Sequence, residues 1–183
     1  SHAKNMAHAL ATGDFVCNVD ADNFVGFGLV EYLRAVFKHR PNAIVATNRL
    51  DARLNLGVHK GSMGRIALSK ANFDLLGGYD ESARFKGWSG EDTDLLIRSL
   101  RMFLRPTFIR ERKFLRVVQH TDLDRVSLTE CEDLAANIAK IESLDGTAMR
   151  PILKYVVGRA VAPRIANRGT PIGAGPVQRH GDG

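Results

Sequence analysis

Apolar and polar positions along this chain switch between two periods. Residues 1–10 place Ala3, Met6, Ala7 and Leu10 on one side of a helix. Ala11-Thr12-Gly13 ends that helix, and Phe15, Val16, Cys17 and Val19 follow as a short, nearly continuous apolar run. Such a run predicts a strand buried on both faces. Leu29, Val30, Leu33, Val36 and Phe37 return to helical spacing, and this helix stops before Pro41. Residues 43–47 predict a second strand, 48–63 a loop and 64–68 a third strand. Ser69 is a good N-cap for a short helix that ends at Gly77-Gly78. A helix from near Glu91 to about Phe103 turns Leu95, Leu96, Leu100 and Phe103 inward. Pro106 marks a turn, and residues 107–109 and 114–118 predict a β-hairpin or two short strands. A last helix covers about 129–144, opened by the capping box Thr129-x-x-Glu132. Strands alternate with helices, so the fold class is α/β.

Composition narrows this picture. A chain of 183 residues, 44% of them hydrophobic, fits one domain with a real core. It holds no run long enough to span a bilayer and no secretory signal pattern. Cys17 and Cys131 lie far apart, which favours a reducing, cytoplasmic compartment without structural zinc. The net charge of +6 sits mostly at one end: after Asp145 there are six basic residues against one acidic. The sequence therefore divides into a body over 1–145 and a basic extension over 146–183, expected to be disordered from about 168. Because the basic charge marks the extension and not a groove through the fold, nucleic acid is not an expected partner. Ile152, Leu153, Val156 and Val157 beside Arg150, Lys154 and Arg159 suit a peripheral contact with the inner face of a membrane, and equally a terminal helix packed on the body.

Candidate chemistry falls in three stretches. Asp20-Ala21-Asp22 ends the first strand, where ligands of α/β sheets gather. Two carboxylates two residues apart point to one side of an extended chain and suit a hard divalent cation, though Asp is also common in solvated turns. An EF-hand reading fails, because Phe24 and Val25 stand where that loop needs an oxygen ligand and a glycine. In residues 87–94, GWSGEDTD, glycines bracket the only tryptophan and acids open a helix. The acids fit the helix dipole. Trp88 offers a flat face for a sugar ring and is as readily explained by core packing. His120 follows the apolar segment 114–118, and imidazole is a common ligand for metals such as Mn²⁺.

Together these stretches resemble the catalytic half of a glycosyltransferase of the GT-A fold, over Lys4 to about Asn137. AKNMAHALATGDFVCNVDADN looks like the helix, strand and D-x-D segment of family 2 transferases. GRIALSKANFDLLGGYDE looks like the strand and helix before the catalytic loop. FKGWSGEDTDLLIR is similar to the WGGEDDD-type loop of the β-1,4-galactosyltransferase C-terminal region, and VVQHTDLDR to the segment with that family's metal-binding histidine. The resemblance implies a partial GT-A fold, Rossmann-like, with a mixed, mostly parallel sheet flanked by helices. It implies a divalent metal, Mn²⁺ or Mg²⁺, on Asp20, Asp22 and His120, with Asp20 also touching the nucleotide-sugar. It implies Asp92 as catalytic base, and Trp88 and Glu91 on the acceptor side. Val117 stands where the galactosyltransferase pattern has a methionine ligand, and Ser89 replaces a loop glycine. The family 2 form of the metal site is therefore the one implied.

The expected activity is that of an inverting glycosyltransferase domain. A sugar passes from a nucleotide-sugar, UDP-linked by the resemblance, to a hydroxyl of a carbohydrate or glycoconjugate acceptor. A metal neutralises the leaving diphosphate and a carboxylate takes the acceptor's proton. The alternative is a non-catalytic carbohydrate-binding or interaction module derived from such an enzyme. In the family, a strand-helix-strand unit before the D-x-D holds the nucleotide base. This chain starts beyond that unit, so weak or no binding of nucleotide-sugar by the chain alone is expected.

Overall fold

The computed structural model describes residues 1–48, 51, 60–81, 90–119, 165–169 and 172–173. Helix α1 is His2–Leu10 and strand β1 Phe15–Asn18; α2 is Leu29–His39 and β2 Ala43–Ala46. After a 3-10 turn at Lys60–Gly64 come β3, Ile66–Ser69, and α3, Lys70–Leu75. Helix α4 is Glu91–Arg101, β4 is Arg105–Phe108, and a short 3-10 turn covers Arg112–Phe114. The helix expected at 129–144 and most of the basic extension lie outside the described residues. Among the described residues, no helix is long and apolar enough to cross a membrane.

The four described strands form one mixed sheet in the order β1-β3-β2-β4. Alternation along the strands splits the core in two. Ile44, Ala46, Ile66 and Leu68 point to one face, where Phe73, Leu76, Leu95 and Leu96 of α3 and α4 cover them. Ala43, Val45 and Ala67 point to the other, under Leu29 and Leu33 of α2 and Phe114. Both faces are therefore covered, and every residue of β2 is buried.

Four expectations are corrected. Leu100 and Phe103 do not turn inward with Leu95 and Leu96: α4 ends at Arg101, and both side chains are exposed. The sheet is not mostly parallel: β3 runs antiparallel to both β1 and β2, and only β2 and β4 are parallel. β3 turns back between its neighbours, a direction that apolar periodicity does not encode. Pro106 does not mark a turn but lies inside β4, opposite Ile44. β4 is an edge among the described strands, where a residue without an N–H is tolerated. No hairpin forms at 107–118. The 114–118 segment leaves a 3-10 turn and makes one isolated bridge, Asn23 with Val117. β1 is an edge among the described strands, so Val16 and Asn18 are buried while Phe15 and Cys17 are half-buried.

The helix ends follow the sequence. The Ser69 side chain accepts the N–H of Asn72 at 3.2 Å, as its cap position predicts. Gly77 and Gly78, at φ 73° and 65°, end α3 in the left-handed region open to glycine. That turn exposes carbonyls that need donors. Arg98, fully buried on α4, donates to the carbonyls of Leu76 (2.8 Å) and Gly78 (2.7 Å) and to Asp94 (2.7 Å). Asn167 donates to the carbonyls of Gly77 and Tyr79, Ala166 is buried, and Ile172 packs on the same core. Packing thus reaches into the stretch for which the sequence predicts disorder.

Removing Arg98 alone takes the charged partner from the buried Asp94 carboxylate and a donor from the carbonyls of Leu76 and Gly78. Arg98→Leu should lower the urea-unfolding free energy by about 3–5 kcal/mol, and Asp94→Leu with Arg98→Leu should recover much of that loss. Equal losses in the single and double variants would mean that the pair is not the source.

Candidate active site

Strand directions bring the candidate residues to one edge of the sheet. The C-terminal ends of β1, β2 and β4 and the start of β3 share that edge, as the registers Asn18 with Ile66, Ala46 with Ile66 and Ala46 with Phe108 require. Asp20 sits two residues past β1. Asn18, buried at the end of β1, donates through Nδ2 to Asp20 Oδ1 and to the Gly64 carbonyl, both at 3.0 Å. The Asp20 carboxylate lies so close over Gly64 that a Cβ there would overlap it.

Asp22 is held from two sides. Its carbonyl accepts the Val118 N–H at 2.7 Å, and its Oδ1 accepts Asn23 Nδ2 at 2.7 Å. Asn23 Nδ2 also reaches the Gly61 carbonyl at 3.2 Å. Below this turn lies Arg65, fully buried, whose Nη2 donates to Asn23 Oδ1 (3.2 Å) and the Phe24 carbonyl (2.8 Å). Burial pulls the Arg65 pKa down, against the pull of Cys17 and Asp20.

The D-x-D end meets the acidic start of α4 through a residue that the sequence reading did not single out. Lys4 Nζ on α1 lies 2.9 Å from Asp92 Oδ1, 3.2 Å from Glu91 Oε1 and 3.6 Å from Asp20 Oδ1. Its ammonium also stands 5.2 Å from the centre of the buried Tyr79 ring. One cation faces three carboxylates, so the carboxylates cannot all be equally easy to ionise. Burial, then the charges of Glu91 and Asp20, push Asp92 up to about 6 despite the pull of Lys4. Burial also opposes ionising Glu91, but Lys4 outweighs it and holds Glu91 below its usual value. Lys4 itself is raised: burial lowers it, and the charges of Asp92, Asp20 and Glu91 more than compensate. Burial and the same carboxylates keep the Tyr79 hydroxyl protonated well above its ordinary value.

Asp20, Glu91 and Asp92 therefore meet at Lys4, and Asp22 lies on the turn just past Asp20. Trp88 and His120 lie outside the described residues, so the expected three-residue metal site rests here on its two aspartates. Among the described residues, no three His, Cys, Asp or Glu side chains stand together as a metal-holding group. The donors present are hard carboxylate oxygens. They fit Mg²⁺ or Mn²⁺ held by one or two carboxylates, with substrate phosphate oxygens and water completing the shell. Asn18, Gly64, Arg65 and Tyr79 also escaped the sequence reading. Only Asn18 carried a signal, as a polar residue inside an apolar strand run.

Comparison of the chain with protein-family models, with curated proteins and with solved structures finds no match.

Gly64 has an ordinary backbone conformation, so its substitution tests the close approach of Asp20 alone. Gly64→Ala should displace the Asp20 carboxylate from Asn18 and Lys4 and destabilise the fold by about 1–3 kcal/mol, as overpacking does. Pairing it with Asp20→Gly should relieve most of that cost in thermal melts. A Gly64→Ala protein as stable as the parent would show that the carboxylate does not lie over this glycine.

Proposed function

We propose that this edge is the catalytic half of an inverting, metal-dependent glycosyltransferase site of GT-A type, taking its sugar from a nucleotide-sugar, UDP-linked, to a carbohydrate hydroxyl. One observation carries the reading: Lys4 draws the first aspartate of the D-x-D and the Glu91-Asp92 pair onto a single ammonium. Residues expected to serve the donor and residues expected to serve the acceptor thus stand at one site. The described chain also runs along the D-x-D turn up to Gln119, through the bonds of Arg116 and Val118 to Phe24 and Asp22, which suits His120 as a further ligand.

The roles follow from chemistry. Asp20 and Asp22 would hold the divalent metal, which when bound neutralises charge growing on the leaving diphosphate. Asp92 takes the proton of the attacking hydroxyl. A carboxylate raised to about 6 is a better base than an ordinary aspartate and is still ionised at neutral pH. One base and no covalent intermediate place the attack opposite the diphosphate, so the anomeric configuration inverts. Lys4 keeps Asp92 ionised and oriented between turnovers. Its ion pairs also favour a second reading, a non-catalytic carbohydrate-binding module in which the acids only brace the fold.

Sugar transfer and hydrolysis of UDP-sugars with Mn²⁺ test both readings, in a parent protein that also carries the unit for the nucleotide base. Asp92→Asn should lower turnover by about 10²–10⁴-fold with donor binding unchanged, and the parent's rate should rise with pH through about 6 as Asp92 loses its proton. Asp22→Ala should lose Mn²⁺-dependent donor binding together with turnover. Full activity in Asp92→Asn beside an inactive Glu91→Gln would move the base to Glu91. UDP-sugar binding without turnover in the parent protein would favour the binding module.

A further inference from the structure

Just beyond the D-x-D turn, the chain leaves apolar side chains in solvent. Phe27 is 95% exposed, and Phe24, Val25 and Val30 are each about half exposed. Single exposed apolar residues are normal, but these four fall within one short loop and the start of α2. The loop is not free to fold them away. The Phe24 N–H bonds the Arg116 carbonyl at 3.0 Å, and Asn23 pairs with Val117. Val118, also half exposed, extends the same ledge.

The neighbouring segment supplies the charge. Arg112, Lys113 and Arg116 are all exposed. The Arg116 guanidinium lies 5.2 Å from the centre of the Phe24 ring, and Lys113 Nζ lies beside Gly28, next to Phe27. Acidic residues are near as well, Asp22 before the loop, Glu31 on α2 and Glu111 in the segment, but Lys113 and Arg116 are the charges placed beside Phe27 and Phe24. Apolar tips held rigidly beside cations match a particular kind of surface. Phenyl and valine groups enter the boundary between lipid headgroups and acyl chains, while Arg and Lys meet lipid phosphates. A groove on a protein would need acids set to match both cations, whereas an anionic bilayer presents phosphates all along its surface.

We propose that this ledge, Phe24, Val25, Phe27 and Val30 with Lys113 and Arg116, docks the protein on an anionic membrane surface. It is distinct from the basic extension and holds whether or not the adjoining carboxylates transfer sugar. Docking would turn the carboxylate edge toward acceptors borne on that surface.

Co-sedimentation of the whole chain with phosphatidylcholine vesicles, with and without phosphatidylglycerol, tests the proposal. The parent should bind the mixed vesicles and not the neutral ones. Phe27→Ser changes no charge and, at so exposed a position, should melt with the parent; its binding should weaken about tenfold or more. Lys113→Gln with Arg116→Gln should weaken binding by about 25-fold, roughly fivefold for each cation. Phe27→Trp should show emission shifted to the blue only with mixed vesicles. Parent-like binding by Phe27→Ser would overturn the proposal, since charge elsewhere then suffices. Equal binding to both vesicles, no binding to either, or Phe27-dependent self-association without lipid would overturn it as well.

Discussion

The candidate site depends on one ammonium group shared by three carboxylates. Lys4 reaches Asp20 from one side and Glu91 and Asp92 from the other, though Lys4 and Asp92 are 88 positions apart in sequence. Without that cation, the end of β1 and the start of α4 would face each other with like charge. With it, they are neutralised only in part, and burial leaves Asp92 with the residual cost. A site short of positive charge is one that attracts a further cation. The same imbalance keeps Asp92 poised to gain and lose a proton near neutrality.

Lys4 is in place because α1 is locked down around it. Asn5, fully buried, donates to the Tyr79 carbonyl at 2.8 Å and accepts the Tyr79 N–H at 2.8 Å. One turn on, His8 donates through Nδ1 to the Lys4 carbonyl and stacks on Phe73 at 4.7 Å, with burial pulling its pKa down. The Gly77-to-Glu81 segment is thus gripped by α1 through Asn5, by α4 through Arg98 and by Asn167. This shared turn ties the helix carrying Lys4 to the helix carrying Asp92, so Lys4, Glu91 and Asp92 sit on helices rather than on loops.

Much of this fold was legible in the sequence, and the exceptions have physical causes. β1, α2, β2, the Ser69 cap and α4 lie close to where periodicity and cap residues place them. These are local signals, carried by neighbouring residues. Strand direction is not local. The antiparallel course of β3 depends on which edges meet, and Pro106 inside β4 depends on that strand lying at an edge. The apolar run at 114–118 reads as a strand, but Phe114 and Leu115 are anchored in the α2-side core and the ladder shrinks to one bridge. In the site, Asp20, Asp22, Glu91 and Asp92 stood out as acids at element ends. Lys4 did not, because a lysine on a short amphipathic helix looks like any solvated charge until the helix is placed.

The central claim is that Asp20 and Asp92 share one electrostatic site. A carbon-13 NMR titration of the Asp92 carboxyl group tests it most directly, in the parent protein and in Asp20→Asn. The shared site predicts a midpoint near 6 in the parent. It also predicts a fall in Asp20→Asn, because the Asp20 charge helps burial and Glu91 to hold Asp92 up and its loss leaves Lys4 freer to pair with Asp92. A midpoint in the ordinary aspartate range near ~4, unmoved by the loss of Asp20, would contradict it.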